Sequence, residues 1–157
     1  MMADQDIKQI GSVQIDLEIP VDAPRDTVWN SLVDETTSWW PADFQTTARY
    51  RRMVFEPRPG GRLYEEATGG GGLLWYTVIA IECPGLIHLA GHIAPPFGGP
   101  ATSLLRITLE ATSDFATLLK ISDSVFGCVD RTTKQSITDG WSALFAAARN
   151  YAEGRSS

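Results

Sequence analysis

The sequence predicts an α+β fold: a seven-stranded curved antiparallel sheet wrapped around one long C-terminal helix, with two short helices after the first strand. Three observations point to it. From Thr133 to Glu153 the apolar residues Ile137, Trp141, Leu144, Phe145, Ala148, Tyr151 and Ala152 recur at helical offsets and form one stripe on one face. From Tyr50 to Phe126 the pattern switches to period two, interrupted only by short turn signals. Short turns between consecutive strands imply a meander, and a meander pairs antiparallel.

In order, Val13 to Ile19 alternates between apolar and polar residues and predicts a half-buried strand that Pro20 ends. Pro24 suits the first turn of a helix, and Val28, Trp29, Leu32 and Val33 form its stripe up to about Asp34. Thr36 to Trp40 is one further turn, stopped by Pro41. Six strands follow: Tyr50–Glu56, Arg62–Ala67, Leu73–Glu82, Leu86–Ile93, Thr102–Ala111 and Thr117–Phe126. Gly69 to Gly72 reads as a hairpin tip, since it joins two strands and lacks the Lys-Ser/Thr of a phosphate loop. For the last helix, Thr132 with Gln135 predicts a capping box, and Gly154 predicts the C-cap.

The 157 residues fit a single domain, 1–157, with its core over about 13–153. A net charge of −6 argues against nucleic-acid binding or attachment to anionic membrane by charge. The five arginines Arg49, Arg51, Arg52, Arg58 and Arg62 read as exposed strand residues. Two cysteines, Cys83 and Cys128, give no disulfide framework and suit a reducing cytoplasm. The N-terminus MMADQDIKQIG has no apolar h-region, so no signal peptide is expected, and no apolar run is long enough for membrane insertion. The expected location is therefore cytoplasmic. No cofactor or metal is expected: His88 and His92 lie in one strand about 13 Å apart, too far to share an ion, and on its less apolar face. No Gly-x-Ser-x-Gly elbow is present.

A long helix across a curved sheet cannot touch every strand, so a space lined by inward side chains is expected between them. Alternation assigns Met53, Phe55, Trp75, Thr77, Leu105, Ile107, Ile121 and Asp123 to the sheet's side of that space. Trp39, Trp141 and Phe145 are expected from the helices. Three charged residues share faces with apolar ones: Arg51 with Met53 and Phe55, Glu65 with Leu63, and Asp123 with Leu119, Ile121 and Val125. A buried charge is costly unless paired, so each is half of an ion pair near the sheet edge, at a strand end that reaches solvent, or a ligand anchor.

Four stretches carry a family resemblance. VDAPRDTVWNSLVD with the following WWP, FEPRPGGRLYEE, WYTVIAIECPGLIHLAG and GWSALFAAARNYAEG together resemble the SRPBCC (START-like, helix-grip) superfamily. The branch they resemble is the one related to the activator of heat shock protein 90 ATPase. The likeness runs from about Val13 to Glu153. It implies the helix-grip fold, but the superfamily spans carriers, cyclases, other enzymes and chaperone-binding domains. Three functions follow. The first is binding of a small apolar or aromatic molecule in the cavity. The second is an enzyme of the cyclase or hydrolase type using that cavity, with Asp123 or Glu65 as general acid or base. The third is a protein partner engaged through an exposed surface. Oligomeric state is not readable from the residues.

Overall fold

The computed structural model describes residues 7–155. The acidic N-terminal residues 1–6, on which part of the signal-peptide expectation rests, lie outside the described residues. β1 (Gly11–Val21) leads into α1 (Arg25–Val33) and α2 (Thr36–Trp39). β2 (Tyr50–Phe55), β3 (Arg62–Ala67), β4 (Gly72–Glu82), β5 (Leu86–Ile93), β6 (Ala101–Ser113) and β7 (Ala116–Gly127) follow, and α3 (Arg131–Arg155) comes last. The strand order is β1-β7-β6-β5-β4-β3-β2. Every neighbouring pair is antiparallel, so β2 to β7 form a meander and β1 adds to the free side of β7. This is the helix-grip fold. Among the described residues, no helix is long and apolar enough to cross a membrane.

The stripe on α3 faces the sheet as its periodicity requires. Trp141, Leu144, Phe145, Ala148 and Ala152 are buried, and Ile137 and Tyr151 are partly so. At 25 residues the helix is about 37 Å long. Its far end is tied down by side chains. Glu153 Oε2 accepts from the Asp22 backbone N–H at 2.9 Å, and Glu35 accepts from the Tyr151 hydroxyl and pairs with Arg155.

Several local expectations are corrected. Pro20 lies inside β1 rather than ending it; β1 is an edge strand, where a missing N–H leaves no neighbour unpaired. The helix cap is Asp130, not the Thr132–Gln135 box: Asp130 Oδ1 accepts from the Thr133 N–H at 3.0 Å, and the Asp130 N–H donates back to Thr133 Oγ1 at 3.2 Å. Donation from the Thr133 N–H, and from its hydroxyl at 3.1 Å, holds the Asp130 carboxyl below its ordinary range. Gly154 is still helical, with Arg155 after it. Arg51 does not share the buried face of Met53, because the β2–β3 register shifts between Tyr50 and Arg52. It is exposed and reaches Glu66 at 3.3 Å, beside Arg52 at 2.8 Å. Arg58 and Arg62 likewise reach Glu56, at 3.5 and 2.8 Å.

The most consequential irregularity is in β4. Leu63 pairs with Tyr76 but Tyr64 with Leu74, so β4 carries one extra residue at Trp75. A bulge resets the two-residue alternation. Tyr76 and Val78 are therefore the buried residues, and Thr77 sits on the opposite face, paired with Arg62 and Ala90.

Candidate functional site

Asp123 lies in β7 between Ile121 and Val125, and its residue surface is 1% exposed. Two donors meet its carboxylate. Ser103 Oγ, from β6, donates to Oδ1 at 2.6 Å, and the Trp141 indole N–H, from α3, donates to Oδ2 at 2.7 Å. The Tyr76 hydroxyl stands 2.7 Å from Ser103 Oγ. Because the serine proton goes to Asp123, the tyrosine is the donor in that bond. A single hydrogen-bonded chain thus crosses from β4 to β7 and up to the helix.

The chain depends on Gly91. Tyr76 must cross β5 to reach Ser103, and Gly91 pairs with Ser103 at the crossing. A Cβ at Gly91 would lie 2.8 Å from the Tyr76 ring and 2.5 Å from the Trp75 carbonyl oxygen, so any larger residue would displace the ring. Burial pushes the Asp123 carboxyl above its ordinary range, against the opposing pull of the Ser103 and Trp141 hydrogen bonds. Burial also pushes the Tyr76 hydroxyl up, helped by the nearby Asp123 charge. Among the described residues, no Lys, Arg or His forms an ion pair with Asp123. The expected structural ion pair is therefore replaced by neutral donors.

Glu65, in β3, is a second buried carboxylate with a different shell. Its Oε1 accepts from the Thr46 N–H at 2.8 Å, the Thr47 N–H at 3.2 Å and Thr47 Oγ1 at 3.3 Å. Its Oε2 accepts from the Trp75 indole N–H at 2.9 Å and from Thr46 Oγ1. Burial alone would raise this carboxyl, but the donors from Thr46, Trp75 and Thr47 together hold it below its ordinary range. A carboxylate held ionised by five donors is poorly suited to proton transfer. Glu65 instead pins the loop between α2 and β2 to the sheet.

Between these two acids lies a cavity of ≈ 280 Å³. β4 contributes Leu73 to Tyr76, and β5 with its following loop contributes Gly91 to Ala94 and Phe97. Asp123 comes from β7, and Ile137, Gly140 and Trp141 from the first half of α3. Phe44 and Thr46 close the side held by Glu65. The wall is mostly apolar, and Leu74 and Phe97 are more than half exposed where the cavity meets solvent.

The fold is shared with known structures. An uncharacterised protein from Rhizobium leguminosarum matches with a TM-score of 0.73 at 18% identity, over 94% of this chain and 98% of its own. Ara h 8.0201 matches with a TM-score of 0.67 at 16% identity, over 90% and 98%. Norcoclaurine synthase from Thalictrum flavum, solved with a transition-state analogue, matches with a TM-score of 0.61 at 14% identity, over 95% and 99%. At these identities the likeness establishes the fold alone. No protein-family model matches the sequence, and no protein of curated function does.

The residues expected to line the cavity separate into groups. Trp75, Asp123 and Trp141 line the ≈ 280 Å³ space. Trp39, Phe55, Leu105, Ile107 and Phe145 instead surround a deeper void of only ≈ 40 Å³. That end is filled because α2 brings Trp39 and Trp40 into it. Trp40 packs 5.7 Å from Trp39 and 5.1 Å from Trp75, centroid to centroid, and Trp141 packs at a tilt against Phe145 at 5.6 Å. Met53 and Ile121 are buried in the core and border neither space. Thr77 is turned away by the β4 bulge. Tyr76, Ser103 and Gly91 escaped sequence reasoning. The available signal was Gly91, a glycine in mid-strand, which marks a close approach.

The two histidines alternate with the buried residues of β5, and His92 also borders the cavity. His92 is exposed and bonds Thr102 Oγ1 at 3.1 Å, while His88 Nε2 is buried without a protein partner among the described residues. Among the described residues no group of three or more His, Cys, Asp or Glu side chains is placed to hold a metal ion.

Proposed function

We propose that this protein binds one small, mainly apolar or aromatic molecule in the ≈ 280 Å³ cavity between β4, β5, β7 and the first half of α3. The observation that carries the proposal is the wall itself: aromatic and aliphatic over nearly all its extent, with one buried carboxylate. Apolar contact supplies affinity in such sites, and the few polar groups set orientation. The volume lies at the lower end of ligand pockets, which suits a molecule of one or two rings. Norcoclaurine synthase, of the same fold, was solved with a small molecule bound, which agrees with this use.

Gly140 provides the test. It lies mid-helix on the cavity wall, and a Cβ there meets only Phe44 Cε1, at 3.9 Å. Gly140→Leu should fill the cavity and, by replacing a helical glycine, raise stability by roughly 0.5–1 kcal/mol. We expect wild type to bind an environment-sensitive apolar dye and Gly140→Leu to lose that binding while melting no lower. Equal dye binding by both proteins, or none by wild type, would remove the cavity from consideration.

Asp123 supports a second reading, an enzyme in which this carboxylate moves a proton at the bound molecule. Tyr76, linked to it through Ser103, is the only other titratable group in that hydrogen-bonded chain. The branch related to the chaperone-ATPase activator would rely on an exposed surface, and the cavity lends that reading no support.

A further inference from the structure

Resting on the cavity proposal, we infer that the molecule bound there is an aryl-alkyl cation, a protonated amine on a short chain from an aromatic ring, with Asp123 as its counter-ion. Three observations converge. Asp123 is 1% exposed yet contributes to the cavity wall, and its partners are a serine hydroxyl and an indole N–H, both neutral. A carboxylate offers about four acceptor positions, so two remain after those bonds. The basic side chains that form ion pairs do so elsewhere: Arg51 and Arg52 with Glu66, Arg58 and Arg62 with Glu56, Lys120 with Glu110, and Arg155 with Glu35.

The rest of the wall has matching chemistry. Phe44, Trp75, Tyr76 and Trp141 line the same space, and aromatic faces attract cations most strongly where water is excluded. A buried carboxylate is costly when unpaired, and an ammonium group compensates it in a way that a neutral alcohol cannot. An anionic ligand would place like charges together in a low-dielectric space. The indole of Trp141 both donates to Asp123 and forms part of the apolar wall, so it fixes the carboxylate beside the ring-binding surface.

The test compares four ligands of one size: phenethylamine, phenethyl alcohol, phenylacetate and ethylbenzene. Binding is measured by calorimetry at neutral pH and about 0.15 M salt, where long-range attraction of cations to the net negative chain is largely screened. The amine is then protonated. It should bind about tenfold or more tighter than the alcohol, as expected for one charge-assisted bond, and phenylacetate should bind weakest. Asp123→Asn should abolish the amine's preference over the alcohol. Ser103→Ala, which keeps the carboxylate and removes one donor, should preserve the amine preference.

Wild-type protein that binds amine and alcohol equally would overturn the cation assignment while leaving the cavity proposal standing. An amine preference that persists undiminished in Asp123→Asn would overturn Asp123 as the counter-ion. If none of the four binds, the cavity proposal fails and this one with it.

Discussion

Asp123 and Glu65 are both buried on the inner face of one sheet, and each takes a hydrogen bond from a tryptophan indole. Their surroundings then diverge. Glu65 gathers five donors from Thr46, Thr47 and Trp75, including two backbone N–H groups from the loop it anchors. Asp123 has two, and its side chain borders a cavity. One carboxyl is held below its ordinary range and the other is raised above it. Burial is common to both, so burial does not distinguish an acid that holds a fold together from one available to a ligand. Donor count and access to open space do.

The largest expected effect lies on the indole beside Asp123. Trp141 is 9% exposed, packs at a tilt against Phe145 and Tyr76, and donates to Asp123. Trp141→Ala should cost roughly 3–5 kcal/mol, the range for large buried aromatics. Trp75, only partly buried at the cavity edge, should cost less when truncated. Denaturant titrations of both variants check this, and a Trp141→Ala loss below about 1 kcal/mol would show that α3 is not packed there as described.

Glu65→Gln comes next. The amide is nearly the same shape but replaces one acceptor with a donor. Turned one way its NH2 faces the Thr46 and Thr47 backbone N–H groups; turned the other it faces the Trp75 indole N–H. None of these can reverse direction, so at least one N–H loses its partner at a cost of about 1–3 kcal/mol. The damage should appear first in the loop after α2, as faster amide exchange at Thr46 and Thr47. A Glu65→Gln protein as stable as wild type, with that loop still protected, would mean the cradle is ornamental.

The opposite displacements of the two carboxyls predict opposite pH dependences. Glu65 is lowered from 4.5, so its stabilisation is present above that pH and is lost as pH falls through its depressed value. Asp123 is raised from 3.8, so its folded state favours the protonated form. Its contribution is present below 3.8 and is lost as pH rises through the elevated value. The stability gap between wild type and Glu65→Gln should therefore narrow on acidification. Asp123→Asn should gain on wild type as pH rises above 3.8. Parallel pH profiles for the two variants would contradict the distinction between the acids.

Much of this arrangement was legible in the sequence, but unevenly. The stripe from Ile137 to Ala152 and the period-two pattern after Tyr50 gave element order and pairing, because helix and strand periodicities are strong signals when unbroken. β7 has no register shift against β1, so simple alternation placed Asp123 inward. The same rule failed at Thr77 and Arg51, where bulges insert a residue and reverse the faces beyond it. Glu65 could be recognised as inward, but its partners could not. Thr46 and Thr47 come from an irregular loop without periodicity. The position of the cavity was also hidden, since it depends on how Trp39 and Trp40 fill the other end.

The smallest expected effect on stability is the most informative about function. Asp123→Asn keeps the side chain's shape and one carbonyl oxygen, which can still accept from the Trp141 N–H. The new NH2 then meets Ser103 Oγ, which can accept it because a hydroxyl rotates and has free lone pairs; the serine proton turns to the Tyr76 oxygen, and the Tyr76 O–H gives up its acceptor. The substitution also removes a carboxylate whose ionisation is opposed by burial. These changes nearly offset, so Asp123→Asn should alter stability by less than about 1 kcal/mol near neutral pH, where Glu65→Gln loses more. Thermal melts of the two variants side by side make the measurement. A loss of 3 kcal/mol or more in Asp123→Asn, on the scale of breaking a buried pair, would place Asp123 with Glu65 as a structural acid and withdraw it as a ligand contact.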